Sequence, residues 1–327
     1  MITLSIAQEY PGSLQVMFYN VENFFDPFDD SLTEDDEFTP SGERSWTYSR
    51  FMDKAVKIAR VIIACGDPDP PVIVGLAEVE NRFVLEKLVN ETPLCRLGYS
   101  VIHCDSPDRR GIDVAMIYQK EHVVIDTFYY IPVVLADTNE KTREILMVRG
   151  VLYSSDTVVM AFNHWPSRYG GAAGSRHKRE IAARSLKEHL EQLLLDENSQ
   201  NLLIMGDFND EPSDPSIQLL TGEDTILEGD PGLKLINISA GPDESSGTAK
   251  YKGFWYVFDQ VVVSETLLKG RRGIVVRNEK AAIFSAAFLL ESDNSHLGEK
   301  PFRTFYGPAF HDGYSDHLPV FLFIDKL

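Results

Sequence analysis

Apolar runs that stop at a carboxylate, an amide or an imidazole recur along this chain, and that recurrence constrains its fold more than any other feature. Ser13–Tyr19 leads to Asn20, and Val72–Val79 carries Glu78. Thr157–Asn163 leads to His164, and Asn201–Met205 leads to Asp207 and Asn209. Val257–Ser264 contains Asp259, and near the C-terminus Tyr314-Ser315-Asp316-His317-Leu318-Pro319 opens onto Val320-Phe321-Leu322-Phe323-Ile324. Runs of this kind, rich in Val, Ile and Phe and bounded by Gly, Pro, Asn or Asp, read as strands. A polar group left unpaired inside such a run is costly. Polar groups that repeat at strand ends therefore suggest a site assembled at one edge of a core.

Asp113–Tyr118, Ile145–Tyr153 and Pro319–Ile324 complete the strand set. Both alternating and continuous apolar patterns occur, so some strands should be buried on both faces. Helices intervene. Over Tyr48–Cys65, Met52, Ala55, Val56, Ala59, Ile62 and Ile63 keep helical spacing, with Lys54, Lys57 and Arg60 between them. Over Ser175–Leu195, Ala182, Leu186, Leu190, Leu193 and Leu194 form the stripe, with Arg176 and Arg179 in the first turn. Cations there oppose the helix dipole, which hints at a role other than stability. Asp214-Pro215 reads as an N-cap followed by proline at the first helical position. Strands mixed with helices predict an α/β protein, two sheets face to face with helices outside. No long linker divides the chain, so residues 13–327 read as one domain behind an arm of residues 1–12. Hydrophobic residues make up 43% of the chain, enough for a core of that size.

The polar residues at these strand ends have specific chemistry. Asp207 and Asn209 point to one side if the chain stays extended, a pair that suits an anchor for a water or a phosphate oxygen near a metal. Glu78 lies inside an apolar run and needs a partner, either a divalent cation or an arginine. Asn20 and Glu22 share a side, and such oxygen ligands suit magnesium, manganese or calcium rather than zinc. After Asn163 and His164 comes Arg168, whose guanidinium can give two parallel hydrogen bonds to a phosphate. Arg110, Arg176 and Arg179 are weaker candidates of the same kind. Asp259 can hold a histidine in one tautomer, with His317 as the natural partner. Asp316 beside it can share a cation.

These residues, taken in order, resemble the endonuclease/exonuclease/phosphatase superfamily, which includes pancreatic-type deoxyribonuclease, AP endonucleases, inositol polyphosphate 5-phosphatases and neutral sphingomyelinases. The carriers are Tyr19-Asn20-Val21-Glu22, Ala77-Glu78, Asn163-His164, Gly206-Asp207-Phe208-Asn209, Asp259-Gln260 and Ser315-Asp316-His317. Asn163–Gly171 and Arg109–Ala115 look closest to a bacterial branch of predicted secreted members. The resemblance implies a four-layer α/β/β/α sandwich of the deoxyribonuclease type, with two central mixed sheets and the site at one edge. It implies a metal-dependent hydrolase of phosphate esters, a phosphodiesterase or nuclease, with Mg2+ as cofactor and Mn2+ or Ca2+ as alternatives. Glu78 matches the main metal ligand, with Asn20, Glu22 and Asp316 nearby. Asp207 and Asn209 match the pair that places the nucleophilic water and the phosphate, and His317 with Asp259 the His–Asp pair. His164 matches a phosphate contact or proton donor, with Asn163, Arg168 and Arg110 toward the phosphate. Whether Asp207 or His317 takes the proton is left open by the sequence.

Departures narrow the substrate. The runs that mark inositol 5-phosphatases are replaced here by Phe208-Asn209-Asp210 and Phe258-Asp259-Gln260. A net charge of −19 excludes a broad basic surface for duplex DNA, although acidic deoxyribonucleases exist. Nucleic acid therefore remains a partner class only through local groups. A phosphomonoesterase or a lipid phosphodiesterase is the alternative, and the latter calls for an exposed apolar loop, for which Phe302, Phe305, Tyr306 and Phe310 are candidates. A catalytically silent binding protein would show a lost ligand, and none of the matched positions is lost. The acidic stretch Asp26–Arg44 reads as a solvated insertion. Cys65, Cys95 and Cys104 form no metal-binding or redox spacing. No stretch reaches the ~20 apolar residues of a membrane helix, and a monomer is expected. Met1–Gln8 reads either as the remnant of a secretory signal, for a secreted or periplasmic protein, or as an ordinary arm, for a cytoplasmic one.

Overall fold

The structure, a computed structural model, describes residues 12–137, 139–153, 155–193, 200–222, 234–239 and 246–327. Most of the N-terminal arm and the end of the Ser175–Leu195 helix lie outside the described residues.

Two mixed sheets form the centre. In the first, β1 (Leu14–Phe24) lies between β2 (Ile73–Val79), parallel to it, and β19 (Val320–Lys326), antiparallel to it. β4 (Asp113–Gln119) and β3 (Tyr99–Ile102) continue the sheet beyond β2, and β13 (Ile274–Val276) and β14 (Ala282–Ile283) pair with β19. The second sheet runs β5 (Val123–Ile131), β6 (Ile145–Leu152), β7 (Asp156–His164), β8 (Leu202–Asp207), β12 (Asp259–Ser264) and β9 (Leu235–Asn237). Within it β7 and β8 are parallel, and β12 is antiparallel to β8. Short strands pair outside both sheets: β10 (Ala249–Tyr251) with β11 (Phe254–Tyr256), β15 (Leu290–Ser292) with β16 (Glu299–Pro301), and β17 (Phe305–Tyr306) with β18 (Ala309–Phe310).

Three apolar layers separate four structural ones. The central layer joins the inner faces of both sheets, with Val16, Phe18 and Leu322 from one and Leu146, Met160, Phe162, Met205 and Val261 from the other. The sheets pack tightly where Gly75 of β2 meets Phe162, whose ring would lie 2.2 Å from any added Cβ. Outside the first sheet pack α1 (Tyr48–Cys65) and α2 (Arg82–Glu91), and outside the second α3 (Ala172–Leu193) and α4 (Pro215–Thr221). This is the expected α/β/β/α sandwich. Among the described residues no helix is long and apolar enough to cross a membrane.

The buried face of α1 is Phe51, Ala55, Ile58, Ala59 and Ile62, rotated from the expected stripe so that Val56 is exposed. Lys54 is buried with them rather than turned outward, because its ammonium is held by Thr304 Oγ1 at 2.5 Å and the Tyr314 carbonyl at 3.1 Å. Helix α3 begins at Ala172, three residues before the expected start, so Arg176 and Arg179 fall beyond its first turn. Asp214 is the N-cap of α4 as expected, but its side chain caps nothing there and serves Arg168 instead. The acidic stretch is not wholly solvated: Asp35 and Phe38 are buried, and Phe38 stacks on Phe25 at 4.1 Å.

Strand direction decides where the polar residues collect. β1, β2, β7 and β8 all end at one edge, and β4, β12 and β19, antiparallel to their neighbours, all begin there. Register then places Asp207 opposite both His164 and Asp259.

Candidate active site

The two sheets are joined at this edge by side chains. Asn20 Nδ2 of β1 donates to Asp207 Oδ2 of β8 at 3.0 Å. His317, just before β19, is hydrogen-bonded through Nδ1 to Asp259 Oδ2 at 2.6 Å, and its Nε2 lies 3.8 Å from Asp207 Oδ2. His164 Nε2 lies 3.6 Å from Asp207 Oδ2 and 3.9 Å from Glu78 Oε1. Ligand atoms of Asp207, Asp259 and His317 all fall within 4.8 Å of one another.

Local backbone geometry serves this convergence. β1 pairs in register with β2 only as far as Asn20, and Glu22 (φ 52°) and Asn23 (φ 53°) then turn through the left-handed region. Glu78 (φ 62°) and Asn209 (φ 51°) share that conformation. Such strain in residues other than glycine is held only by surrounding structure and clusters at functional sites. Asn23 N donates to Glu78 Oε2 at 2.9 Å, so the two turns brace each other. Thr248 Oγ1 accepts from the backbone nitrogens of Phe258 and Asp259, each at 3.0 Å, and so fixes the start of β12. Ser315 Oγ donates to the Asn20 carbonyl at 2.7 Å and accepts from His317 N at 3.1 Å, tying the Asp316-His317 loop to β1.

The electrostatics divide the site into two parts. Around Asp207, burial pushes its carboxyl up to about 6; His317 pulls it down and Asp259 pushes it up. Burial alone would depress His317, but Asp259 and Asp207 outweigh it and hold the imidazole well above its usual 6.5. His164 goes the other way, kept neutral by burial and by Arg143, Arg110 and His317. Around Lys54 a second group gathers. Burial lowers this lysine to about 8 against the opposing pull of Glu22, Asp316 and Glu78. Arg303 bridges Glu22 at 3.2 Å and Asp316 at 3.1 Å. Burial would raise Asp316, but Arg303, His317 and Lys54 hold it below the usual carboxylate range.

Donor chemistry fits a hard divalent cation. Glu78, Asp316, Asp207 and Asp259 offer carboxylate oxygens, the ligands such ions take. Two buried atoms at this edge, Asp259 Oδ1 and His164 Nδ1, have no hydrogen-bond partner among the described residues. Asn20 is less available, since its Oδ1 accepts from Glu22 N at 3.0 Å while its Nδ2 serves Asp207. Glu22 is likewise engaged by Arg303 and by Thr304 N at 2.6 Å.

The remaining expected residues are placed as follows. Asn209 Nδ2 donates to the Trp165 carbonyl at 3.1 Å, which leaves its Oδ1 as the acceptor for a water. Arg110 stands before β4, 3.9 Å from Glu78 and bonded to Asn23 Oδ1. Arg168 is spent on structure, with Nε on the Asn209 carbonyl at 2.7 Å and its Nη2 on Asp210 and Asp214. Buried Arg179 pairs with Asp210 at 2.8 Å. Asn163 is wholly buried, with Nδ2 on the Ala161 and Met205 carbonyls and Oδ1 accepting from Trp165 Nε1. Phe305 and Phe310 meet at 5.6 Å and pack against Phe38 and Trp46 at 6.1 and 6.2 Å, and Phe302 and Tyr306 are half-buried, so the tail aromatics form no exposed apolar loop. Arg303, Lys54, Arg143 and Thr248 were not singled out by the sequence. Each reaches the site from a loop, helix or strand start that carries no periodic signal of its role.

Similarity to known proteins agrees with this geometry. The human Nocturnin catalytic domain, solved with a bound sulfate anion, superposes with a TM-score of 0.59 at 16% identity over 96% of this chain and 95% of that one. An endonuclease/exonuclease/phosphatase family protein from Bacteroides thetaiotaomicron superposes at 0.58, with 14% identity over 97% and 100% of the two chains. D. rerio TDP2, solved with a single-strand DNA product, superposes at 0.57 with 12% identity over 96% and 99%. No curated protein matches the chain. Residues 15–326 match the family described as Endonuclease/Exonuclease/phosphatase family. That match spans both sheets and every residue of the strand-end site, and the chain belongs to the endonuclease/exonuclease/phosphatase family.

Proposed function

We infer that the chain is a divalent-metal-dependent phosphodiesterase, acting on phosphate diesters such as those of nucleic acid by in-line attack of water. The observation that carries this reading is the cluster of Asp207, Asp259 and His317, joined through Asn20 and His164 to Glu78 on the other sheet. The solved relatives support it, since one holds sulfate and another a single-strand DNA product. Glu78 and Asp316 would hold the cation, with Asn20 and Glu22 behind them. A bound divalent ion supplies polarisation of the phosphoryl oxygen and offsets charge on the leaving oxygen.

The chain's own groups divide the remaining work. Asp207, a carboxylate above about pH 6, faces the His317 imidazolium and is the base that takes a proton from water. Asn209 Oδ1 orients that water from the adjoining turn. His317, kept charged and in one orientation by Asp259, stabilises negative charge on the phosphoryl oxygens. His164, neutral, accepts or donates a hydrogen bond at the phosphate, and Arg110 stands at the rim.

The test is hydrolysis of bis-p-nitrophenyl phosphate, p-nitrophenyl phosphate and a single-stranded oligonucleotide, with magnesium or with excess chelator. Diester cleavage that needs magnesium is expected. Undiminished turnover in chelator would remove the metal, and turnover of the monoester alone would replace the diesterase by a phosphatase.

A further inference from the structure

Beside His317 stands a feature that the reaction does not use. The strands β10 (Ala249–Tyr251) and β11 (Phe254–Tyr256) form a hairpin in which Ala249 opposes Tyr256, and Tyr251 opposes Phe254. Its turn, Lys252-Gly253, has φ of 49° and 87°, the left-handed pair of a tight two-residue hairpin turn. Cross-strand partners share a face, and successive residues alternate faces. One face therefore carries Ala249, Tyr251, Phe254 and Tyr256, and the other Lys250 and Trp255.

The two faces differ sharply. The Lys250 face is fastened down, with its ammonium on Asp293 at 3.1 Å and on the carbonyls of Leu297 and Glu299 at 2.9 and 3.0 Å. Trp255 packs against the core beneath the first sheet. The other face points out, with Tyr251 61% and Phe254 69% exposed. Scattered exposed aromatics are ordinary, but these two are cross-strand partners and stand side by side on one hairpin face.

This face is continuous with the site. Ala249 forms a β-bridge with His317 at its inner end. Tyr256 stacks on Phe258 with ring centres 4.9 Å apart, and the Arg168 guanidinium lies 4.7 Å from the Phe258 ring. Arg168 is held on the Asn209 carbonyl, so the aromatic strip runs from the wall of the site outward. In a chain with net charge −19, stacking of bases on aromatic faces would add to the few local cations near the site, such as Arg110.

We propose that the Tyr251, Phe254 and Tyr256 face is a stacking subsite for the bases of a single-stranded nucleic acid whose scissile phosphate lies at His317, a reading that rests on the phosphodiesterase function above. Duplex would not fit this role, because its bases are already stacked on one another. Specificity among bases is expected to be weak, since every base has a flat face.

The test uses the full chain and the double substitution Tyr251→Ala with Phe254→Ala, with kcat/KM measured on a thymidylate strand and on an equal-length strand lacking bases. The wild type is expected to prefer the strand with bases, and the substitution to lower that preference by roughly tenfold, through KM rather than kcat. An undiminished preference in the variant, no preference in the wild type, or equal cleavage of duplex would overturn the proposal. If neither strand nor bis-p-nitrophenyl phosphate is cleaved, the function above fails. The subsite is then judged by quenching of a 2-aminopurine single strand alone, and quenching that the substitution leaves unchanged overturns it. Binding to phosphatidylcholine vesicles that the substitution removes, without any base preference, would also overturn it in favour of a lipid surface.

Discussion

Asp207 and Asp210 stand three residues apart at the end of one strand, both buried, and their surroundings could hardly differ more. Asp210 is matched to cations: Arg168 lies 3.1 Å from one oxygen, Arg179 2.8 Å from the other, and Ser216 Oγ donates at 2.6 Å. Asp207 shares its pocket with a second carboxylate and two imidazoles, one of them kept neutral, and two atoms nearby lack partners among the described residues. A buried charge that is fully paired stabilises its own position and has nothing left to offer a substrate. A buried charge with incomplete compensation is poised to accept a proton or to face a cation. By this contrast Arg168, engaged by Asp210 and Asp214, has fewer donors left for a phosphate than the sequence alone suggests.

The comparison breaks first on turnover. His317→Ala and Asp207→Asn are each expected to lower kcat by ~10²-fold or more, the scale of positioned acid–base groups, with thermal unfolding little changed. A loss under about threefold in a folded variant would make that corner structural as well. Next comes stability. Asp210→Ala leaves two guanidiniums without their counter-ion and should cost about 3 kcal/mol or more in urea unfolding, the usual penalty for half of a broken buried pair. The surviving folded enzyme should keep its rate on a small diester. If Asp210→Ala instead spares stability and abolishes rate, the division between the two aspartates is wrong. A smaller effect is expected at Glu78: Glu78→Gln should weaken magnesium binding by about tenfold in calorimetric titration. Unchanged affinity would move the cation toward Asp207 and Asp259.

What was legible in the sequence follows the same physics. The strand ends could be read because an apolar run that stops at a polar residue is a local pattern, and nearly every strand that carries a site residue was visible that way. β5, which carries no site residue, was not visible, because at a sheet edge most of its side chains face outward and dilute the apolar signal. β1 runs five residues further than its apolar stretch, since Glu22 and Asn23 adopt left-handed backbone that no composition announces. That these residues lie near one another at strand ends could also be anticipated, but their pairing could not. Arg168 looks like a phosphate ligand until Asp210 and Asp214, more than forty residues on, are seen to claim it. Lys54 looks like a solvated helix residue until Thr304 and Tyr314, some 250 residues away, receive it. Long-range charge partners are set by topology, which no short window contains.

Glu80 sharpens the contrast, because it adopts a third solution. Two residues beyond Glu78, it is buried beside Asp26, whose backbone nitrogen donates to its Oε2 at 2.5 Å. Among the described residues neither an arginine nor an imidazole compensates it, and burial, helped by the negative charge of Asp26, pushes its carboxyl up to about 9. It therefore stays protonated at neutral pH. A group whose folded value is raised contributes stability in full below its unfolded value near 4.5, and loses it as pH rises through the folded one. Stability should thus decline between about pH 4.5 and about pH 9, by at most about 1.4 kcal/mol per pH unit for this one proton. Glu80→Gln fills the same space without titrating, so the variant should gain on the wild type as pH rises, measured by urea unfolding at pH 5, 6.5 and 8. Parallel curves would mean that Glu80 ionises in the fold after all and finds a counter-charge. Its environment would then match that of Asp210, and the uncompensated carboxylates would be confined to the strand-end site.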